Sequence, residues 1–267
     1  MKKILTVLTA LSIATVGFTQ VKDGRILFER TTQLRMQIAN TDQNFQNMIP
    51  KERKDRFELL FTEGKSLWQV VVDNTQDNEM SFSSSEGANI QIRMPGSDDI
   101  VFHNIADMKK VDQRELGGKT YIISDSVNKL SWKVAGETKT ILGYPCMKAT
   151  AQRTQQNMRM NMDNGKMTRE TVTDTLNIVA WFTNEIHGSF GPESYQGQLP
   201  GTILEIDVSD GRTKYVAIEI SPKTDVAKIK EPGKGKKVTS AEFAKEREKL
   251  FADMQQNGGG NMRIIRN

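Results

Sequence analysis

Apolar and polar residues alternate with a period of two through most of the chain from Gly24 to Pro222. This period places successive side chains on opposite faces of a strand, so that one face is buried and the other is solvated. Parallel strands need crossover connections of a dozen or more residues, and the short connections in this range leave no room for them. The pattern therefore predicts a mainly β fold, built as a curved antiparallel meander sheet or as an open or partly closed barrel.

The clearest hairpin lies around the turn sequence Thr62 to Lys65, with alternating apolar residues from Phe57 before the turn and from Trp68 after it. A longer hairpin is predicted between Ile141 and Phe182, with its turn at residues 163–166. The polar stretch 73–99 predicts one short strand around residues 90–94. Other strands are predicted at residues 26–38, 100–102, 120–123, 130–134, 203–208 and 215–220.

The first residues have the pattern of a secretory signal. Lys2 and Lys3 precede the apolar run from Ile4 to Phe18, which is too short to span a bilayer. We therefore predict a signal peptide at residues 1–19 and export to the periplasm or the extracellular space. No later apolar run approaches the ~18 residues needed for a membrane-spanning helix, so no transmembrane span is predicted in the mature chain.

After Pro222 the composition shifts towards Lys, Gly and Pro. This shift divides the mature chain into a β domain at residues 20–222 and a basic linker at residues 223–238. A C-terminal amphipathic helix is predicted at residues 239–257, because Thr239 and Glu242 have the spacing of a capping box. Residues 258–267 are predicted to be a disordered tail.

The formal net charge of +4 is unevenly distributed. Residues 223–267 hold 11 basic and 6 acidic residues, whereas residues 20–222 hold 24 basic and 27 acidic ones. An acidic body with an export signal disfavours a nucleic-acid partner. The basic run from Lys228 to Lys237 either contacts anionic lipid or polysaccharide or is a solvated linker. The lone Cys146 cannot form an internal disulfide and is expected to be buried as a small apolar residue.

Two stretches form a linked motif set between Trp132 and Val208. The first is Ile141-Leu-Gly-Tyr-Pro-Cys-Met-Lys-Ala-Thr150, and the second joins Ala180-Trp-Phe-Thr-Asn-Glu-Ile186 to a segment that starts at Gly191-Pro192 and ends in Gln198-Leu-Pro-Gly-Thr-Ile203. Together they resemble the GLPGLI family, exported proteins of diderm bacteria without an established activity. The name motif departs from the family pattern at Gln198 and Thr202. The resemblance implies a fold relative and a compartment but no reaction.

The Gly191 to Gly201 segment has two interpretations. In the first it is a rigid surface loop, in which Pro fixes φ and Gly permits the reversal into the next strand. In the second it is a binding lip, whose candidate residues are Glu193, Tyr195, Leu199, Pro200 and Gly201.

The tip of the long hairpin is rich in methionine. Met158, Met160 and Met162 alternate along one strand, and Met167 follows the turn. Thioethers are soft ligands suited to Cu(I), so these four residues are candidate copper ligands. The alternative is an ordinary apolar packing face, in which case no cofactor is expected.

Catalytic motifs are scarce. His103 and His187 are the only histidines, and the sequence contains no Gly-x-Ser-x-Gly, no His-x-x-x-His, no paired cysteines and no Gly-rich phosphate loop. We therefore favour a non-enzymatic binding or accessory protein of the cell envelope, whose partner is an unknown envelope protein or a small ligand. Periplasmic Cu(I) binding is the second hypothesis, and a hydrolase using His103 or His187 is the third.

Overall fold

A computed structural model gives the fold and describes residues 21–34, 50–71, 79–83, 89–93, 99–127, 129–163 and 166–256. Within these ranges the chain forms fourteen strands and one α-helix. Their bounds are β1 Gly24–Gln33, β2 Glu52–Thr62, β3 Lys65–Val70, β4 Glu79–Ser83, β5 Asn89–Arg93, β6 Ile100–Asn104, β7 Lys109–Leu116, β8 Lys119–Ser126, β9 Lys133–Ile141, β10 Tyr144–Asp163, β11 Lys166–Thr183, β12 Thr202–Val208, β13 Thr213–Ser221, β14 Lys236–Val238 and α1 Ser240–Gln256.

Twelve of these strands form one sheet in the order β14-β8-β7-β6-β3-β2-β1-β13-β12-β11-β10-β9. All neighbouring pairs are antiparallel except β14 and β8. The predicted mainly β fold is confirmed, and the sheet is open because its edge strands β14 and β9 do not pair with each other among the described residues. β1 lies in the middle of the sheet and joins two meanders.

Several predicted strands differ from those in the structure. The stretch 73–99 contains two strands, β4 and β5, which pair with each other outside the main sheet. β7 was not predicted, because its inward-facing positions Lys110, Asp112 and Arg114 are charged. The strand predicted at residues 130–134 starts only at Lys133, since the backbone N–H of Leu130 donates to the side chain of Gln198 at 2.9 Å.

The inner face of the sheet carries the larger apolar core. Ile26, Phe28, Leu59 and Phe61 are fully buried there, and residues 186–203 fold over this face. The ring centroids of Phe61 and Phe190 lie 4.9 Å apart across this contact. Burial of aromatic and branched side chains between sheet and covering segment therefore holds the motif region in place.

The outer face has a smaller cluster that the C-terminal part of the chain covers. Ile229 is 7% exposed and packs among buried residues of five strands, which are Leu60, Leu67, Phe102, Val111 and Ile122. Strand β14 also lies within residues 223–238 and pairs with β8. The segment predicted to be a linker thus contains both a core residue and an edge strand.

Helix α1 starts at the predicted capping box. The Thr239 hydroxyl accepts from the backbone N–H of Glu242 at 3.2 Å, and the Glu242 carboxylate accepts from the N–H of Thr239 at 2.7 Å. Phe243 packs edge-on against Tyr121 of β8. None of the described helices is both long enough and apolar enough to cross a membrane. The predicted signal peptide, residues 1–19, and the predicted tail, residues 258–267, lie outside the described residues.

Candidate functional site

A row of inward-facing side chains crosses one half of the sheet. The register places Phe61 of β2 opposite Ser66, Ser66 opposite His103, His103 opposite Lys110, and Lys110 opposite Asp125 of β8. Cross-strand partners lie on the same face of a sheet, so these five side chains form a continuous row across β2, β3, β6, β7 and β8. The row is apolar at Phe61 and charged at its other end.

A cavity of about 230 Å³ opens at the charged end of this row. Its walls come from strands β6 to β8, from the connection after β8, from β10 and from residues 191–201, which we call the motif loop. The lining residues are His103, Lys110, Asp125, Ser126, Val127, Leu130, Arg153, Ser194, Tyr195 and Gln198. The cavity is smaller than the ~300–1,000 Å³ of typical ligand sites, and it combines apolar walls with a few polar groups as such sites do.

His103 is the most unusual of these residues. Its side chain is fully buried, and neither ring nitrogen has a hydrogen-bond partner among the described residues. Burial, with a smaller contribution from the charge of Lys110, lowers the pKa of His103 from 6.5 to about 3. The ring is therefore a neutral imidazole, with one donor and one acceptor nitrogen, and it forms part of the cavity wall.

Arg153 reaches the cavity from β10. Its Nε atom is buried without a hydrogen-bond partner, and its guanidinium carbon lies 5.9 Å from the centroid of the Tyr195 ring. No carboxylate forms an ion pair with Arg153 among the described residues. Lys110 differs in this respect, because its Nζ lies 2.9 Å from a carboxylate oxygen of Asp112. The charge of Arg153 is thus the uncompensated one at this site.

Asp125 is already engaged at the rim. Its carboxylate accepts from the Ser240 hydroxyl at 2.7 Å and from the Ser126 backbone N–H at 2.8 Å. These hydrogen bonds, that of Ser240 first, lower the pKa of Asp125. Ser240 begins helix α1, so the rim is tied to the C-terminal helix.

The motif loop contributes one of its predicted lip residues to the cavity. Tyr195, in a short 3-10 turn, is buried and lines the wall, and burial raises its pKa. Glu193 of the same turn points elsewhere, since its carboxylate accepts from the Tyr215 hydroxyl at 2.6 Å. Desolvation, reinforced by Glu193, raises the pKa of Tyr215 well above 10. Glu193 therefore anchors the turn that carries Tyr195.

The other predicted lip residues do not line the cavity. Leu199 is buried in the inner core, and its carbonyl accepts from the Ser189 hydroxyl. Gly201 lies so close to the preceding strand that a Cβ atom would be 2.6 Å from Oδ1 of Asn184. Pro200 is exposed. These three residues shape the loop and hold it against the sheet.

A buried polar contact fixes the loop beside His103. The Ser66 hydroxyl donates to the side-chain carbonyl of Gln196, and the Gln196 amide donates to the Glu193 carbonyl at 3.2 Å. Ser66 and Gln196 are both fully buried. Sequence reasoning singled out His103 but missed Ser66, Gln196 and Arg153, because polar residues in alternating strands are ordinarily solvent-facing and carry no signal of this kind.

The remaining predicted candidates lie apart from the cavity. His187 is exposed. Cys146 is 1% exposed, and desolvation raises its pKa to about 11, so its thiol stays protonated. The described residues contain no cluster of three or more His, Cys, Asp or Glu side chains that could hold a metal ion.

The methionine hypothesis stays a prediction. The backbone register places Met162 directly opposite Met167 in the β10–β11 hairpin. The side chains of Met158, Met160, Met162 and Met167 lie outside the described part of the chain.

Comparison with known families gives a match at residues 132–205 to a protein of unknown function (Porph_ging). This match confirms the predicted resemblance to GLPGLI-type proteins. The matched segment contains β9 to β11, the motif loop and most of β12, and it contributes Arg153, Tyr195 and Gln198 to the cavity. No curated protein matches the chain.

Two solved structures of PNGF-II, in P21 and C2 space groups, are similar in fold, with TM-scores of 0.50 and 0.52. Each is 14% identical in sequence and covers 85% of this chain. The chain spans 33% of the length of those proteins. At this identity the similarity shows the fold alone.

Proposed function

We propose that this chain, whose residues 132–205 carry the Porph_ging family sequence, is an exported cell-envelope protein that binds a small ligand in the His103 cavity as a non-enzymatic binding or accessory module. One observation carries the proposal. Among the described residues, the fully buried imidazole of His103 has no hydrogen-bond partner, and it forms part of the wall of a cavity that the family segment, residues 132–205, helps to close.

The free-energy cost of this arrangement supports a binding role. A buried donor or acceptor that lacks a partner costs about 1–3 kcal/mol. Native folds pair almost all such groups, so each exception needs an explanation, and contact with a bound ligand is one. A ligand that reaches His103 would supply a partner for the ring nitrogen that it contacts, while Val127 and Leu130 offer it apolar walls.

The surroundings of His103 favour binding over acyl transfer. A serine nucleophile needs a base within hydrogen-bond reach, and the base needs an orienting acid. Ser66 is the cross-strand neighbour of His103, but its hydroxyl donates to Gln196. In the part of the chain that the structure describes, neither nitrogen of His103 contacts a carboxylate. The hydrolase hypothesis therefore has no supporting geometry here.

Export is part of the proposal and rests on Lys2, Lys3 and the apolar run from Ile4 to Phe18. Cell fractionation and N-terminal sequencing of the mature protein test it. We expect the protein outside the cytoplasm with Gln20 as its first residue. Recovery of the full-length chain from the cytoplasm would contradict export without affecting the cavity.

The binding proposal is tested by purifying the secreted chain under native conditions and measuring bound small molecules by mass spectrometry. His103→Leu removes both ring nitrogens at similar side-chain volume, and His187→Leu, at an exposed position, is the matched control. We expect a bound compound in the wild type and in His187→Leu, and its loss in His103→Leu. Equal occupancy in all three would overturn the proposal, and so would a wild type that carries no compound and binds no added small organic anion or diol.

The opposed positions of Met162 and Met167 support Cu(I) binding as a second candidate function. Titration of Cu(I) against the wild type and a variant with Met158, Met160 and Met162 replaced by Leu separates the two interpretations. A soft-metal site predicts a large loss of affinity in the variant. Equal affinities would leave the methionines as a packing face.

A further inference from the structure

Lys110, Arg153 and Asp125 are the charged residues that line the cavity, and of the two cations only Lys110 forms an ion pair among the described residues. Lys110 pairs with Asp112, and the Asp125 carboxylate accepts hydrogen bonds from Ser126 and Ser240. Arg153 alone has neither an ion pair nor a partner for its buried Nε among the described residues. Arg153 is half-buried, and a buried Nε–H without a partner costs free energy, which an anionic ligand bonded to it would offset.

We propose that the cavity binds a small organic anion, whose charged oxygens contact Arg153 and whose neutral polar group hydrogen-bonds to His103. This inference rests on the binding function proposed above and specifies its ligand class. It assigns a binding role to Arg153, a residue that the sequence motifs do not mark.

The chemistry of Arg153 selects for a carboxylate or a phosphate ester. A guanidinium presents its N–H donors in a planar fork that matches two oxygens of either group. The neighbouring Tyr195 ring, 5.9 Å from the guanidinium carbon, helps to fix the plane of that fork. A cationic ligand would be repelled by Arg153, the lining cation that has no ion-pair partner among the described residues.

The neutral part of the ligand follows from the remaining walls. A neutral imidazole has one donor and one acceptor nitrogen on different sides of the ring, and a ligand hydroxyl can pair with either of them, since it both donates and accepts. Val127, Leu130 and the Tyr195 ring contact carbon atoms. With a volume of about 230 Å³, the cavity suits a short hydroxylated acid better than a larger molecule.

Three probes with the same carbon skeleton test the ligand class. Propane-1,2-diol is neutral, lactate carries a carboxylate, and propane-1,2-diol 1-phosphate carries a phosphate ester. Binding to the mature protein is measured by isothermal titration calorimetry and by ligand-observed NMR up to millimolar concentration. We expect one or both anions to bind and the diol not to bind. The stronger anion identifies which oxyanion the site prefers.

Two variants assign the binding to Arg153. Arg153→Gln is expected to lower the affinity of the bound anion at least 10-fold, and Lys148→Gln, which removes a charge from the same strand outside the cavity, is expected to leave it unchanged. Circular dichroism spectra check that each variant is folded. The inference is overturned if the diol binds as well as the anions, if neither anion binds, or if Arg153→Gln binds like the wild type.

Failure of this inference is distinguishable from failure of the binding function. If a neutral compound co-purifies with the wild type and is lost in His103→Leu, the cavity is a binding site but the ligand class is wrong. If no compound co-purifies and no probe binds, both proposals fall.

Discussion

At the residue scale, His103 gives the fold a pH dependence that few other side chains can give. The unfolded chain protonates this imidazole below about pH 6.5, whereas the folded chain resists protonation until about pH 3. The folded pKa is depressed, so the stabilising contribution is present above pH 6.5 and is lost as the pH falls towards 3. Lys110, Arg153 and Asp125 are the charged residues that line the same cavity, and the hydrogen bond from Ser240 lowers the pKa of Asp125.

We therefore predict that acidification from pH 7 to pH 5 lowers the free energy of unfolding by about 2 kcal/mol through His103 alone. Urea unfolding at a series of pH values measures the effect. His103→Leu should lack this contribution, and His187→Leu should retain it, because carboxylates add the same background to every variant. A pH dependence in His103→Leu as steep as that of the wild type would contradict the neutral state of the buried ring.

Gly201 provides a second residue-scale prediction. A Cβ atom at this position would collide with the Thr183 carbonyl and lie 2.6 Å from the Asn184 side chain, so Gly201→Ala must push the loop away from the sheet. We expect a destabilisation of about 1–3 kcal/mol, as for overpacked sites. Gly136→Ala is the control, because no atom lies within 4 Å of a Cβ there. Equal urea midpoints for the two variants would refute the close approach.

The residues of the family motif can be recognised from the sequence, whereas most of the cavity residues cannot. Gly201 lies within a recognisable motif, and its need for a small residue has a sequence signal. Arg153 lies in an alternating polar stretch, where an arginine is usually solvent-facing. Its role depends on the loop that folds over β10, and such a tertiary contact has no local pattern.

At the element scale, strand prediction worked where one face is apolar and failed where both faces carry polar residues. In β2 and β3 the inner-face residues Phe57, Leu59, Phe61, Trp68 and Val70 recur at every second position, and the hairpin lies where this pattern predicts it. β7 pairs along its whole length with β8, yet its inner face carries charges that are neutralised within the fold. The Asp99 carboxylate accepts from the Arg114 guanidinium at 2.5 Å. Hydrophobic periodicity cannot predict that a charge in β7 is neutralised by a residue outside that strand.

The C-terminal segment contributes to the core, which leads to a prediction about Ile229. This side chain covers the outer-face cluster, so Ile229→Ala removes buried methyl groups and leaves a cavity. We expect a loss of about 2–5 kcal/mol in the free energy of unfolding. Val226→Ala, three residues away and 46% exposed, should change stability by less than about 0.5 kcal/mol. Similar losses for both variants would contradict the covering role.

Ile229 also affects how the basic segment should be tested. Deleting residues 223–267 would remove this side chain and β14, exposing apolar surface on the sheet. If this deletion abolished envelope binding, the cause could equally be unfolding of the sheet or loss of the basic charges. Replacing exposed lysines such as Lys230 and Lys234 with Gln keeps the fold and isolates the electrostatic contribution.

At the scale of the whole molecule, β1 connects two meanders, one running from β2 to β8 and the other from β9 to β13. Sequence periodicity predicted the fold class but not this order. The pairing of β1 with β13 joins Arg25 to Ser221, and no local pattern specifies a partner so distant along the chain.

We predict that the two meanders unfold together. Trp68 reports on the first and Trp181 on the second, and Phe28 of the shared strand is fully buried. Variants in which Trp132 is replaced and only Trp68 or only Trp181 is kept should show the same urea midpoint by fluorescence, as expected for a cooperative unit. Phe28→Ala should lower both midpoints equally, with a loss of about 3–5 kcal/mol. Midpoints that separate would show that the halves are independent.

The central position of β1 also determines when the protein can become native. β1 is the first strand in the sequence, and it cannot complete its pairing until β13 has been synthesised, almost two hundred residues later. Until then one edge of β1 has unpaired backbone N–H and C=O groups, which can pair with a strand of another chain. Pairings across such long sequence distances are slow to form. We therefore expect the chain to become native only after β13 has been synthesised. Until then the unpaired edge of β1 must be protected from pairing with other chains.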